Sequence, residues 1–119
     1  MFSLGSSHRY LLYRQPCDMR KSFDALSGIV SQELNRSAIS GEVFIFLNKR
    51  RTHLKMLHWE NGGFVLYYKR LEKGTFTPPV LEHDEAISWP DLVLMIEGIQ
   101  VQKSIRKLRF SLEKNSVFS

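Results

Sequence analysis

The sequence of 119 residues has one cysteine, Cys17, and no apolar run long enough to cross a bilayer. The lone thiol excludes an internal disulfide framework and fits a reducing compartment. Residues Met1–Ser7 lack the charged start and apolar core of a secretion signal. The expectation is a soluble, cytoplasmic protein with no membrane association. Chemistry-bearing patterns are equally sparse. The four histidines, His8, His53, His58 and His83, are scattered without a partner at metal-ligand spacing. Asn61-Gly62-Gly63 is a turn, with no following Lys-Ser/Thr to complete a phosphate loop. The acids fall mostly at expected helix caps (Asp18, Asp91), on an expected helix (Asp24, Glu33) or in a polar connector (Glu82, Asp84, Glu85). No strand-like run carries a carboxylate in its interior, so a rigid two-metal site has no ligands to use. The sequence therefore offers no catalytic residue, no metal ligands and no cofactor site. His83 and its neighbouring acids read as a solvated loop.

What is present is the composition of one folded domain. Hydrophobic residues make up 43% and aromatics 12%, enough to bury a core without metals or disulfides. The net charge of +5 is unevenly spread: residues 75–100 contain no Lys or Arg and five acids, while the segments on either side are basic. An excess of this size often serves only solubility. Its concentration in one run of three cations and again in the tail from about residue 101 points instead toward a polyanion.

Three β-branched and aromatic runs, Glu42–Asn48, Thr52–Glu60 and Gly63–Leu71, predict a three-stranded antiparallel meander. Asn61-Gly62 between the last two is the signal of a type I′ turn, in which both central residues need positive φ. Gly63 is expected to allow a bulge where the third strand begins. His8–Gln15 reads as a further strand ended by Pro16. Asp18 is expected to cap a helix of about four turns carrying Met19, Phe23, Leu26, Val30 and Leu34 on one stripe, with Gly28 permitting close approach to the sheet. Alternation along the meander puts large apolar groups on both sheet faces, so both need cover. Pro78-Pro79 and Leu81–Ala86 read as connector. Ser88-Trp89-Pro90-Asp91 starts a second helix that Gly98 ends or bends. Val101, Ile105, Leu108 and Leu112 form another amphipathic stripe. The expectation is a single α+β domain over residues 1–119, an antiparallel sheet (the meander plus the N-terminal strand) packed with two main α-helices.

Much of the chain also carries a family pattern. Val43–Arg51 (VFIFLNKRR), Leu54–Glu60 (LKMLHWE) and Gly63–Gly74 (GFVLYYKRLEKG), preceded by Asp18–Asp24 (DMRKSFD) and followed by Ile87–Trp89 and Leu92–Ile99, occur in order. The chain resembles the TnpB accessory proteins of bacterial insertion sequences of the insertion-sequence-sixty-six type. The resemblance implies a non-catalytic protein that assists DNA transposition beside a separate, larger DDE-type transposase.

Three adjacent cations at a turn repel one another and gain nothing by burial, so Lys49, Arg50 and Arg51 are candidate phosphate contacts on a ribbon narrow enough for a major groove. Lys55, Lys69, Arg70 and Lys73 are expected to extend that patch, and Lys103, Arg106, Lys107 and Arg109 in the tail to add a second one. Trp59, Tyr67 and Tyr68 are stacking candidates that read more simply as sheet cover. The functional expectation is contact with element DNA through the basic hairpin and tail while the transposase is engaged. The alternative is a purely protein-interaction subunit with no direct DNA contact.

Overall fold

A computed structural model describes residues 4–81 and 85–97. Tyr10–Leu12 forms β1, Phe23–Gln32 α1, Val43–Leu47 β2, His53–Glu60 β3, Gly63–Arg70 β4, Ala86–Ile87 β5 and Trp89–Ile96 α2. The strands make one sheet in the order β4-β3-β2-β1-β5. The fold is the expected α+β domain, and the meander β2-β3-β4 is antiparallel throughout.

Two features of the sheet differ from the sequence reading. The N-terminal strand joins parallel, with Tyr10 opposite Val43 and Leu12 opposite Ile45, and α1 makes the crossover that a parallel pair requires. The connector also contains β5, which pairs antiparallel with β1 through Tyr10–Ile87 and Leu11–Ala86. Two residues are too few to show a period, and it is the free edge of β1 that draws them into the sheet.

The turn between β3 and β4 is as expected, with Asn61 at φ 51° and Gly62 at φ 80°. Pairing continues unbroken from Glu60–Gly63 onward, so there is no bulge at Gly63. A two-residue loop of this kind already matches the strand twist and needs no extra residue.

Helix α1 is shorter than its apolar stripe suggested. It begins at Phe23, with Ser22 in the cap position, and ends at Gln32. The Asp18 carboxylate is taken by the backbone N–H of Arg20 (2.9 Å) and by the Arg20 guanidinium. The carbonyls of Met19 and Lys21 accept from the Lys55 ammonium, each at 2.7 Å, instead of from the next helical turn. The first helical bond therefore runs from Leu26 N–H to Ser22. Phe23 is left exposed, and Leu26, Ile29 and Val30 make the buried stripe. A Cβ at Gly28 would meet nothing within 4 Å, so that glycine mediates no close approach.

Period two then sorts the core into two layers. Phe44, Phe46, Leu57 and Leu11 face α1, together with Cys17, Leu26, Ile29 and Val30. Val43, Ile45, Leu47, Leu54, Met56, Tyr10 and Leu12 face the other side, where Phe76 and the α2 residues Leu92 and Met95 cover them. Phe44 and Phe46 are fully buried, each worth roughly 2–3 kcal/mol by area removed from water. Helix α2 starts as the sequence indicated: the Ser88 hydroxyl accepts from Asp91 N–H at 3.3 Å, with proline in the first turn. Lys69 donates to the Ile96 carbonyl at the far end of α2 (2.8 Å). Gly98 and the stripe at Val101, Ile105, Leu108 and Leu112 lie outside the described residues.

Candidate nucleic-acid interface

Because β1 and β2 run parallel while β3, β4 and β5 run antiparallel to their neighbours, one end of the sheet gathers five chain segments. The ends of β1, β2 and β4 and the starts of β3 and β5 all lie there, β5 entering through Glu85, whose carbonyl accepts from Leu12 N–H. Arg14 follows β1, Lys49-Arg50-Arg51 form the β2–β3 tip, Arg70 closes β4 opposite His53, and Lys73 follows it. Backbone bonds hold the post-β4 segment against the tip: Leu71 N–H donates to Thr52 (2.9 Å) and Phe76 N–H to Arg51 (2.7 Å). The loop carrying Arg20 and Lys21 is fastened to the same end by Lys55.

The tip is rigidly built. Asn48 Oδ1 accepts from the backbone N–H groups of Thr52 (2.9 Å) and His53 (3.0 Å), which fixes the orientation of its amide. Asn48 Nδ2 therefore donates, to Thr52 Oγ1 at 3.0 Å and to His53 Nδ1 at 3.2 Å. Arg51 adopts φ 59°, a left-handed conformation that costs about 1 kcal/mol for a residue with a Cβ. Lys49, Arg50 and Arg51 are all exposed, and none makes an ion pair among the described residues.

The expected cations do not all reach this surface. Lys49, Arg50, Arg51, Arg70 and Lys73 do, although Arg70 has a solvent-exposed partner in Glu72 at 3.0 Å. Lys55 does not. It is 5% exposed, with its ammonium held by two carbonyls and 4.7 Å from the Tyr68 ring centroid. Lys69 is half-buried on the α2 side and bonded to Ile96. Strand position alone cannot separate such anchored lysines from solvated ones. Lys103, Arg106, Lys107 and Arg109 lie outside the described residues. The sequence reading missed Arg14, Arg20 and Lys21, whose place here depends on the parallel pairing and on the Lys55 anchor.

Three open clefts surround the tip. One of about 420 Å³ lies between Pro16–Met19 and Asn48–Arg50, with His53 at its floor. Another of about 390 Å³ is lined by His53, Tyr68, Arg70 and Glu72. A smaller one of about 110 Å³ lies on the other flank, with Arg14, Lys49, Arg51 and Pro78 among its walls. Burial pushes the Cys17 thiol up from its ordinary value, so it is not the thiolate a nucleophile requires. Asp18 is held down to about 2 by its bonds to Arg20, so the acid in the first cleft is already neutralised by a neighbour. Among the described residues no group of three His, Cys, Asp or Glu side chains is placed to hold a metal ion, and no helix is long and apolar enough to cross a membrane.

The opposite end of the sheet has a different character. Glu42 there accepts from the Arg36 guanidinium (2.8 Å) and from Ser40 (3.0 Å), with Arg9 at 3.4 Å. The Arg36 bonds hold its carboxyl below the usual range. His58 is buried beside Glu60 (3.5 Å) and edge-on to the His8 ring. Among the described residues cations and acids balance there, whereas at the tip end the cations outnumber the acids Asp18, Glu72 and Glu85.

Comparison with known proteins agrees with the family pattern in the sequence. Residues 8–106 match the family model described as IS66 Orf2 like protein. Two proteins of Sinorhizobium fredii (strain NBRC 101917 / NGR234), named only as uncharacterized proteins y4jC and y4hO, are each 30% identical over 100 residues. Those matches cover 83% of this chain and 86% and 87% of the two relatives. No solved structure matches the chain.

Proposed function

This chain belongs to the IS66 Orf2-like family of transposition accessory proteins, and from that premise we propose that it binds the DNA of its element through the basic end of the sheet. The observation that carries the reading is the β2–β3 tip. Three exposed cations without carboxylate partners among the described residues sit on a turn that Asn48 holds in one conformation. The left-handed backbone of Arg51 carries a stability cost at that turn. Phosphate oxygens supply the charge that such a tip lacks, and Arg14, Arg70 and Lys73 widen the surface on both sides.

A protein-interaction role beside the DDE-type transposase is the second reading, favoured by the outer edge of β4. Among the described residues no strand pairs with that edge, which leaves alternate N–H and C=O groups open along an eight-residue strand. The two readings are compatible in one complex and separate in a binding assay.

The test is fluorescence anisotropy of the purified protein with a labelled duplex carrying the element's terminal repeat, beside a shuffled duplex of equal length, at low and near-physiological salt. Tighter, salt-sensitive binding to the terminal repeat is the expected result. Equal binding to both that vanishes with salt would reduce the surface to a general affinity for polyanions. No binding at either salt would remove DNA as the partner of the isolated protein and leave the transposase.

A further inference from the structure

The first two clefts share His53 as a lining residue and lie side by side as a two-part groove on the α1 side of the hairpin, one part lined by Pro16–Met19 and Asn48–Arg50, the other by Tyr68, Arg70 and its ion-pair partner Glu72. At its end stands a half-exposed aromatic ring. Phe64 and Leu66, on the same face of β4, pack against the α1 core, but Tyr68 lies beyond the reach of α1 and is 52% exposed. Nor is the ring loose. The Lys55 ammonium, fixed by two carbonyls, sits 4.7 Å from its centroid, and the His53 ring lies 6.0 Å away.

We propose that this groove holds unpaired DNA, with one base stacked on Tyr68 and the flanking phosphates on Arg70 and Arg50. The proposal rests on the DNA-binding reading and names the form of DNA that this part of the surface takes. A paired base keeps its faces inside the duplex stack, so only an unpaired one can lie on an open ring. A cationic groove with a fixed aromatic platform is the physical requirement for holding a single strand. The ring is positioned before the ligand arrives, which lowers the ordering cost of binding. Cleft volumes of about 420 and 390 Å³ suit nucleotide-sized groups. Lys55 acts here as a positioning residue.

The experiment compares the full chain on a blunt labelled duplex and on the same duplex with a short unpaired tail containing 2-aminopurine, whose fluorescence is quenched on stacking. The tail should raise affinity by roughly 5- to 150-fold, the range that corresponds to stacking one base on an aromatic ring. Tyr68→Phe should keep both the increment and the quenching. Tyr68→Leu, which keeps apolar bulk without a π face, should lose both while binding the blunt duplex as the parent does. An increment that survives in Tyr68→Leu, or a tail that adds nothing to duplex binding, overturns the proposal and leaves the DNA-binding reading standing. Absence of quenching in both the parent and Tyr68→Phe overturns it even if Tyr68→Leu fails to fold. Failure to bind either DNA overturns both readings together.

Discussion

A buried lysine is a costly residue unless every proton of its ammonium is used. In Lys55 the side chain leaves the α1 face of β3 and reaches the carbonyls of Met19 and Lys21, and the Tyr68 ring takes part of the remaining charge. That arrangement decides where α1 begins and where Arg20 and Lys21 end up. Lys55→Met should therefore lower unfolding stability by about 2–3 kcal/mol in urea, since two carbonyls lose a charged donor. It should also speed amide exchange at residues 18–22. A loss below about 0.5 kcal/mol would mean that water replaces the ammonium freely. Glu42 allows a test of sign. Its folded pKa is depressed, chiefly by the hydrogen bonds from Arg36, so its contribution is present above the unfolded carboxylate pKa and is lost as pH falls through the lower folded value. The stability gap between the parent and Glu42→Gln should hold steady above about pH 5 and close as the solution is acidified further. A gap independent of pH would assign the loss to packing rather than charge.

At the scale of elements, the β2–β3 hairpin separates stability from function. Among the described residues three non-glycine residues have positive φ, and two of them, Asn35 and Asn61, are of the type that tolerates it. Arg51 is the exception. Arg51→Gly should raise stability by about 1 kcal/mol by relieving the backbone, and should weaken DNA binding by removing a phosphate contact. Thermal melting and anisotropy on the same sample give both signs, and a variant that is less stable would show that Arg51 makes packing contacts worth more than its strain. The hairpin at Asn61-Gly62 and the start of α2 at Ser88 were legible in the sequence because adjacent residues determine them. The start of α1 was not. The lysine that claims its carbonyls lies 34 residues from Lys21, and no local pattern marks a side chain that will reach so far. Likewise β5 exists because β1 has an edge to fill, a fact about the sheet rather than about Ala86–Ile87.

For the molecule as a whole, the decisive feature is that both faces of the sheet are covered over most of their extent, by α1 on one side and by α2 with Phe76 on the other, with Tyr68 left half-exposed where β4 nears the basic end. Recognition is left to the ends and the edges, and the ends differ in charge. The three-cation run made one end conspicuous in the sequence. Its true extent was hidden, because Lys55 and Lys69 look like surface cations until their carbonyl partners are seen, and Arg14 joins only through the parallel pairing of β1. This division of labour predicts how a triple variant, Lys49→Ala with Arg50→Ala and Arg51→Ala, should behave. None of the three is buried or has an ion-pair partner among the described residues, so unfolding stability should stay within about 0.5 kcal/mol of the parent. DNA affinity should fall, and it should fall most at low salt. Each phosphate contact adds about 0.9 to the slope of log affinity against log salt, so removing three should flatten that slope by about two to three. A smaller change would transfer part of the contact to Arg14, Arg70 and Lys73, and the same titration on those variants would locate it. An unchanged slope with unchanged affinity would take the hairpin out of DNA recognition, and the basic end would then have to be read as a surface for a protein partner.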